Sequence, residues 1–318
     1  MTVFLRRYGT LAGMVAIILF FWAMLPDTFM TGRNWLNISQ QMSMLAVVAF
    51  TMTAVMAMGD FDLSVGSMAS LAGIVAAIVF VETGSVFLGV AAALATGIAG
   101  GLVNGFLVSH VGILPFVATL GTMTVFSGFA FLVSGGKTIF GNAIPAAFSG
   151  FARGGVPIFG TGLSIPNLTL VALAVLVFVW LLLEHSIAGR KLYAIGGNAE
   201  AARLAGVRVR ALRFWAFGLT GAGAAVAGLM YASRVASANP TQGSGLMLDA
   251  IAAVFLGMTM SEEGEPRVIN TLLGVLILGV LSNGLTQMNV DSYVREILIG
   301  SIVILAVAVS SFGAQWRK

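Results

Sequence analysis

Stretches of about 20 predominantly apolar residues, the length a helix needs to cross a bilayer core, recur along this chain and dictate its class. They lie near 9–25, 39–58, 65–81, 86–108, 114–134, 166–183, 214–232, 246–260, 269–288 and 296–312. With no water in the hydrocarbon to satisfy backbone groups, such stretches must be helical. The chain is therefore expected to be an all-α, polytopic membrane protein with about ten transmembrane helices, read as one permeation-type domain over 1–318. The stretch at 246–260 is short for a span. Charged residues make up only 9% of the chain and hydrophobic ones 58%, whereas soluble proteins carry about a quarter charged residues.

Charge fixes an expected orientation. An even number of spans puts both termini on one side, and placing them in the cytoplasm puts eleven of the sixteen Lys and Arg residues inside, as the positive-inside rule requires. The five left outside are Arg33, Lys137, Arg153, Arg234 and Arg295. The net charge of +4 then records loop bias, so nucleic-acid binding is not expected. Arg6 and Arg7 before an apolar run imitate a signal peptide, but Pro26, Asp27 and Phe29 read as an ordinary membrane exit, and the first span is taken as uncleaved. The chain has no cysteine and two histidines, His110 and His185. No metal site, no cofactor and no catalytic constellation is expected, and the chain is not read as an enzyme.

The segment 186–213 is a basic island holding six of the Lys and Arg residues. Inside it, Asn198 is placed to cap a short helix carrying Glu200, Ala201, Arg203 and Leu204, with Gly206 suited to a left-handed stop. Glu200 and Arg203 sit three apart, on one face. Two turns are marginal alone, so a soluble partner gripping this loop is expected. The segment 135–165, rich in Gly, Pro, Asn and Ser, reads as an ordered external loop.

Shifting the chain by 179 residues lays Gly66 on Gly245, Gly100 on Gly279, and Asn104-Gly105 on Asn283-Gly284. Five spans separate the copies, so they run in opposite senses across the membrane, the pattern of an inverted repeat with its path at the repeat interface. Polar residues at depth are candidates for that path or gate: Asp60, Phe61, Asp62 and Ser64 in one interruption, Asn104 and Asn283 within helices, and Asn239 and Asp249 around the short eighth span. For each a plainer role stands beside it. Asp62 or Ser64 can cap a helix, the asparagines can bond between closely packed helices, and Asp249 can complement a helix dipole. Ser134-Gly135-Gly136-Lys137-Thr138 imitates a phosphate loop but lacks its first glycine, where Phe131 stands. Any ATP-driven work must use a separate ATPase.

The run from Gly189 through Asn198-Ala199-Glu200-Ala201-Ala202-Arg203-Leu204-Ala205-Gly206-Val207 closely resembles the cytoplasmic coupling segment of ribose, xylose and arabinose type ABC importer permeases. Asp60-Phe61-Asp62-Leu63-Ser64-Val65-Gly66-Ser67, Thr119-Leu120-Gly121-Thr122, Ala238-Asn239-Pro240-Thr241, Leu248-Asp249-Ala250-Ile251 and Gly279-Val280-Leu281-Ser282-Asn283-Gly284 extend the resemblance in order along most of the chain. The resemblance implies a bacterial inner-membrane permease of the vitamin B12 importer type, paired with a second copy or a paralogue. It also implies ABC ATPase subunits on the inside, with Asn198 to Gly206 as the coupling helix, and a periplasmic sugar-binding protein outside. The cargo implied is a monosaccharide, with the Gly-Asp-Phe-Asp form closer to arabinose-type members. Gly257-Met258-Thr259-Met260-Ser261-Glu262-Glu263-Gly264-Glu265 departs from the family's glycine-rich inner turn. Other readings are an ABC permease for branched-chain amino acids or a sugar-derived signal, and a proton-coupled secondary transporter using Asp60, Asp62 or Asp249.

Overall fold

The computed structural model describes residues 2–261, 264–301 and 304, and its frame is helical. Helix α1 (Thr2–Met24) leads to α2 (Gly32–Met56), whose first turn is fixed by Thr31 accepting a bond from the Asn34 amide at 3.2 Å. Helices α3 (Val65–Thr83), α4 (Val86–Phe106) and α5 (Pro115–Ser134) follow, with α4 running on into a π-helical turn over Leu107–Val111. The predicted external loop is more regular than its composition suggests. It holds β1 (Ile139–Phe140), α6 (Ala146–Arg153) and a hairpin of β2 (Gly155–Ile158) with β3 (Leu163–Pro166). After α7 (Asn167–His185) come α8 (Ile187–Gly197), α9 (Ala199–Leu204) and α10 (Val209–Val235). Strand β4 (Ser237–Ala238) pairs antiparallel with β1, before α11 (Leu246–Met258) and α12 (Val268–Gln287).

Among the described residues, seven helices are long and apolar enough to cross a membrane, and the apolar helices Gly9–Met24 and Leu246–Met258 are shorter. The chain is thus a multi-pass membrane protein. Residues 292–301 are helical, but most of the predicted tenth span at 296–312 lies outside the described residues, as do Glu262 and Glu263. Helix α11, at about 1.5 Å per residue, reaches only part of the way across a hydrocarbon core.

The central helices are α2 and α10. From Ser43 to Met56 nearly every side chain of α2 is buried, whereas α5 buries little beyond Ala118, Thr119, Thr122, Phe126 and Ala130. Small residues join α4 to α10 along one seam. A Cβ built on Gly105 would stand 2.6 Å from the Phe214 carbonyl oxygen, and Gly97 and Gly221 each occupy the space the other's side chain would need. Such close backbone approach is how membrane helices gain packing energy without a hydrophobic drive. The order α2–α3–α4 recurs as α10–α11–α12, with matching helix ends offset by 179 to 182 residues (Met56 to Val235, Val65 to Leu246, Val86 to Val268).

Candidate functional site

The turn 57–64 between α2 and α3 is held from several sides. The Arg213 guanidinium, near the start of α10, donates from Nη2 to Asp60 Oδ1 at 3.2 Å and brings Nε within 2.9 Å of Oδ2. Asp62 Oδ1 accepts from the Ser64 amide (2.9 Å) and hydroxyl (2.6 Å). Fully buried Asn104 then donates to Ser64 Oγ (2.8 Å) and accepts from Thr122 Oγ1 (2.6 Å), so its amide is committed to joining the turn, α4 and α5. A buried amide left unpaired in this setting would be costly. Asn104 stands seven residues before Val111, which places this network about 10 Å in from that end of the bundle.

Just beyond the network, two helix beginnings meet. Neither the N-terminus of α3 nor that of α11 is capped by a side chain. A Cβ built on Gly66 would lie 2.5 Å from the Gly243 carbonyl oxygen, and one on Gly243 would clash with the Gly66 carbonyl. Ser70 fastens the crossing by donating to the Gly66 carbonyl (3.2 Å) and accepting from the Gly243 amide (2.8 Å). Helix beginnings leave backbone N–H groups unpaired within the helix, and here two sets of them converge.

A cavity of about 460 Å³ opens at this junction, between the two helix beginnings and α5. Ser67, Thr124, Ser127 and Ser244 supply its hydroxyls, while Leu63, Met123, Phe131 and Met247 supply most of its apolar wall. No charged side chain is among the residues lining it. Such a site suits a small neutral solute whose hydroxyls exchange bonds with serine and threonine and whose carbon faces lie on apolar side chains.

None of the path or gate candidates singled out in sequence is among the residues lining this cavity. Asp60, Asp62, Ser64 and Asn104 belong to the supporting network. Half-buried Phe61 rests against Phe255, ring centroids 6.0 Å apart. Asn239 accepts from the Thr241 amide (2.8 Å) and hydroxyl (2.7 Å) and donates to Thr138 Oγ1 (2.9 Å), tying the lead of α11 to the loop that carries β1. Asp249 is exposed in the first turn of α11. Asn283 is buried in α12 and accepts from Gln287 Nε2 at 2.8 Å. The lining hydroxyl of Ser67 sits inside a motif already noted and Ser244 stands next to Gly245 of the echo, but Thr124 and Ser127 had no signal beyond a hydroxyl within an apolar helix.

At the end of the bundle bearing 186–213, α9 has the expected build. Asn198 Oδ1 accepts from the Ala201 amide at 2.9 Å, Arg203 forks onto both Glu200 oxygens at 3.0 and 2.6 Å, and Gly206 stops the helix at φ +83°. The Arg203 hydrogen bonds hold the Glu200 carboxyl below its usual range. Ala202 is buried against the protein, and Leu204 points outward with 76% of its surface exposed. Preceding it, α8 seats Gly196 on the Ala57 carbonyl, and Tyr193 donates to the Pro266 carbonyl at 2.9 Å. Burial, with Glu184 nearby, raises the Tyr193 phenol above its ordinary value. Arg267 reaches Glu184 at 3.0 Å and lies 5.7 Å over the Tyr193 ring.

A family model described as "Branched-chain amino acid transport system / permease component" matches residues 34–307. The ribose import permease protein RbsC of Bacillus subtilis (strain 168) is 35% identical over 303 residues, covering 95% of this chain and 92% of that protein. RbsC of Escherichia coli (strain K12) is 39% identical over 291 residues, 90% and 88% of the two chains. The L-arabinose transport system permease protein AraH of Escherichia coli (strain K12) is 36% identical over 312 residues, 98% and 92% of the two. No solved structure matches the chain.

Proposed function

Because the chain belongs to the branched-chain amino acid transport system permease family, with ribose and arabinose import permeases among its relatives, we propose that it forms the membrane passage of an ATP-driven monosaccharide importer. It is a transport component and not itself an enzyme. The observation that carries the cargo reading is the cavity at the Gly66–Gly243 crossing, with four hydroxyls, two helix beginnings and no charged lining residue. A pentose is neutral and rich in hydroxyls, and loose binding by serine and threonine allows its release.

The recurring order of α2–α4 and α10–α12 supports an inverted repeat whose halves meet at that crossing. Both termini lie in the cytoplasm in this reading, with ten spans in the vitamin B12 importer arrangement. A second permease subunit closes the open side of the cavity along exposed α5. A periplasmic sugar-binding protein delivers cargo at the hairpin end, and ABC ATPase subunits dock on α9. Drawing the ATPases together moves α9 and the helices it touches, which exposes the cavity to one side and then the other.

Branched-chain amino acids are the second reading, supported by the family's description and by helix beginnings that accommodate a carboxylate. Their ammonium group finds no carboxylate among the lining residues, which favours the sugar. The test is uptake into vesicles holding the chain with its ATPase and binding-protein partners. Radiolabelled ribose or arabinose enters only with ATP and binding protein. Uptake by the chain alone, collapsed by an uncoupler, would establish proton coupling instead, and ATP-dependent entry of leucine but no pentose would overturn the sugar assignment.

A further inference from the structure

We propose that the Arg213–Asp60 ion pair is the positioning pair that carries movement of the 186–213 segment to the cavity wall. This rests on the reading that an ATPase docks on that segment. The pair is largely sequestered, the Asp60 side chain being 5% exposed and that of Arg213 27%. Both carboxylate oxygens face the guanidinium, at 3.2 and 2.9 Å. One hydrogen bond from Nη2 and a second close charge contact at Nε tie the two groups together, and a carboxylate this deeply buried is strongly penalised if its partner withdraws. The turn must therefore follow the arginine.

The same turn is gripped a second time, where Gly196 of α8 leaves no room for a side chain against the Ala57 carbonyl. Thus α8 and the start of α10, which flank α9, both hold the turn 57–64. The other end of the turn is the beginning of α3. Seven residues beyond Asp60, Ser67 lines the cavity beside Gly66.

Further along, α10 is locked by small residues to two neighbours, with Gly97, Gly101 and Gly105 of α4 against it and its own Gly228 against the Ala69 carbonyl of α3. That deeper contact sets where the body of α3 sits, while the ion pair acts on its first turn through the turn 57–64. Asp62, Ser64, Asn104 and Thr122 give that turn a fixed register against α4 and α5. A displacement applied at Arg213 is delivered to the first turn of α3, where the cavity hydroxyl of Ser67 and the crossing with Gly243 lie.

The absence of cysteine permits a direct test. Ser67→Cys, labelled with an environment-sensitive fluorophore, is assembled in nanodiscs with the ATPase subunits, and emission is recorded before and after Mg-ATP, normalised to assembled complex. With Arg213 and Asp60 present, ATP shifts the emission. In Asp60→Asn/Arg213→Gln, which keeps polar groups but removes both charges, the shift falls at least fivefold. Arg213→Lys, keeping charge but losing the Nη2 bond to Asp60 Oδ1, gives an intermediate shift and carries the test if the double variant does not assemble. A full shift in either variant overturns the proposal, as does a loss that only tracks the amount of assembled complex. No shift with the native pair present would instead strike the importer reading, and this proposal with it.

Discussion

Gly66 and Gly243 each stand where the other's side chain would have to be, the carbonyl of one filling the Cβ position of its neighbour. They belong to the first turn of α3 and the lead of α11, which run toward each other from opposite ends of the bundle. A methyl group at Gly66 would meet a backbone oxygen at 2.5 Å, with no flexible side chain to give way. Gly66→Ala is expected to destabilise by about 1–3 kcal/mol, the range for overpacking. Gly245→Ala meets nothing within 4 Å at φ −82° and is expected to stay within about 0.5 kcal/mol of the parent. Thermal unfolding of the two purified variants checks this, and equal melting temperatures would dismiss the crossing as a constraint.

Asn104 and Asn283 are equivalents in the sequence echo but differ in what they hold. Asn104 joins the turn before α3 to α5 through Ser64 and Thr122, while the bond described for Asn283 is to Gln287 on its own helix. Asn104→Leu strands two hydroxyl partners and is expected to cost about 1–3 kcal/mol. Asn283→Leu loses a bond within one helix and is expected to cost about 0.5–1.5 kcal/mol. Denaturation of both variants in the same detergent ranks them, and the reverse order would contradict the network.

Sequence reasoning reached what depends on local chemistry. Bilayer-length apolar runs announced the helices, and Asn198, Glu200, Arg203 and Gly206 specified α9 because a cap, a pair three residues apart and a left-handed stop are all encoded within one short segment. Helix α8 was hidden in the basic island because Gly189, Gly196 and Gly197 lower helix propensity. Its helical form is held by burial of Leu192 and Ile195 and by the seat of Gly196 on Ala57. The cavity was least legible. The echo set Gly66 and Gly245 as equivalent positions and carried no information on contact, so the crossing of Gly66 with Gly243 was not visible in it, and Thr124 and Ser127 acquire meaning only when α5 is laid beside two helix beginnings far apart in the chain.

Leu204 is the large exposed apolar side chain on α9, at 76% exposure, while Ala202 faces the protein. A leucine so presented is a natural anchor for a pocket on an ATPase subunit. Leu204→Ala is expected to weaken ATPase binding about tenfold, or ~1.4 kcal/mol, while leaving the melting temperature of the isolated permease unchanged. Ala202→Pro removes the bond from its amide to the Asn198 carbonyl, 3.0 Å long, and is expected to abolish docking by breaking the helix. Titration of ATPase onto permease in nanodiscs reads both, and native affinity in Leu204→Ala would move the docking site elsewhere.

Ser127 lines the cavity from α5, opposite the helix beginnings that supply Ser67 and Ser244. If solute passes through this volume, the consequence of enlarging Ser127 depends on size, whereas the consequence of removing its hydroxyl depends on bonding. Ser127→Phe puts a ring into a space of about 460 Å³ and is expected to reduce pentose uptake more than tenfold with ATPase assembly intact. Ser127→Ala keeps the space and loses one of four lining hydroxyls, so a loss of about 0.5–1.5 kcal/mol, severalfold in KM, is expected. Both variants are read by ATP-driven ribose and arabinose uptake in vesicles with equal permease content. A phenylalanine that transports as well as the parent would count against a route that passes α5 at the α3–α11 crossing.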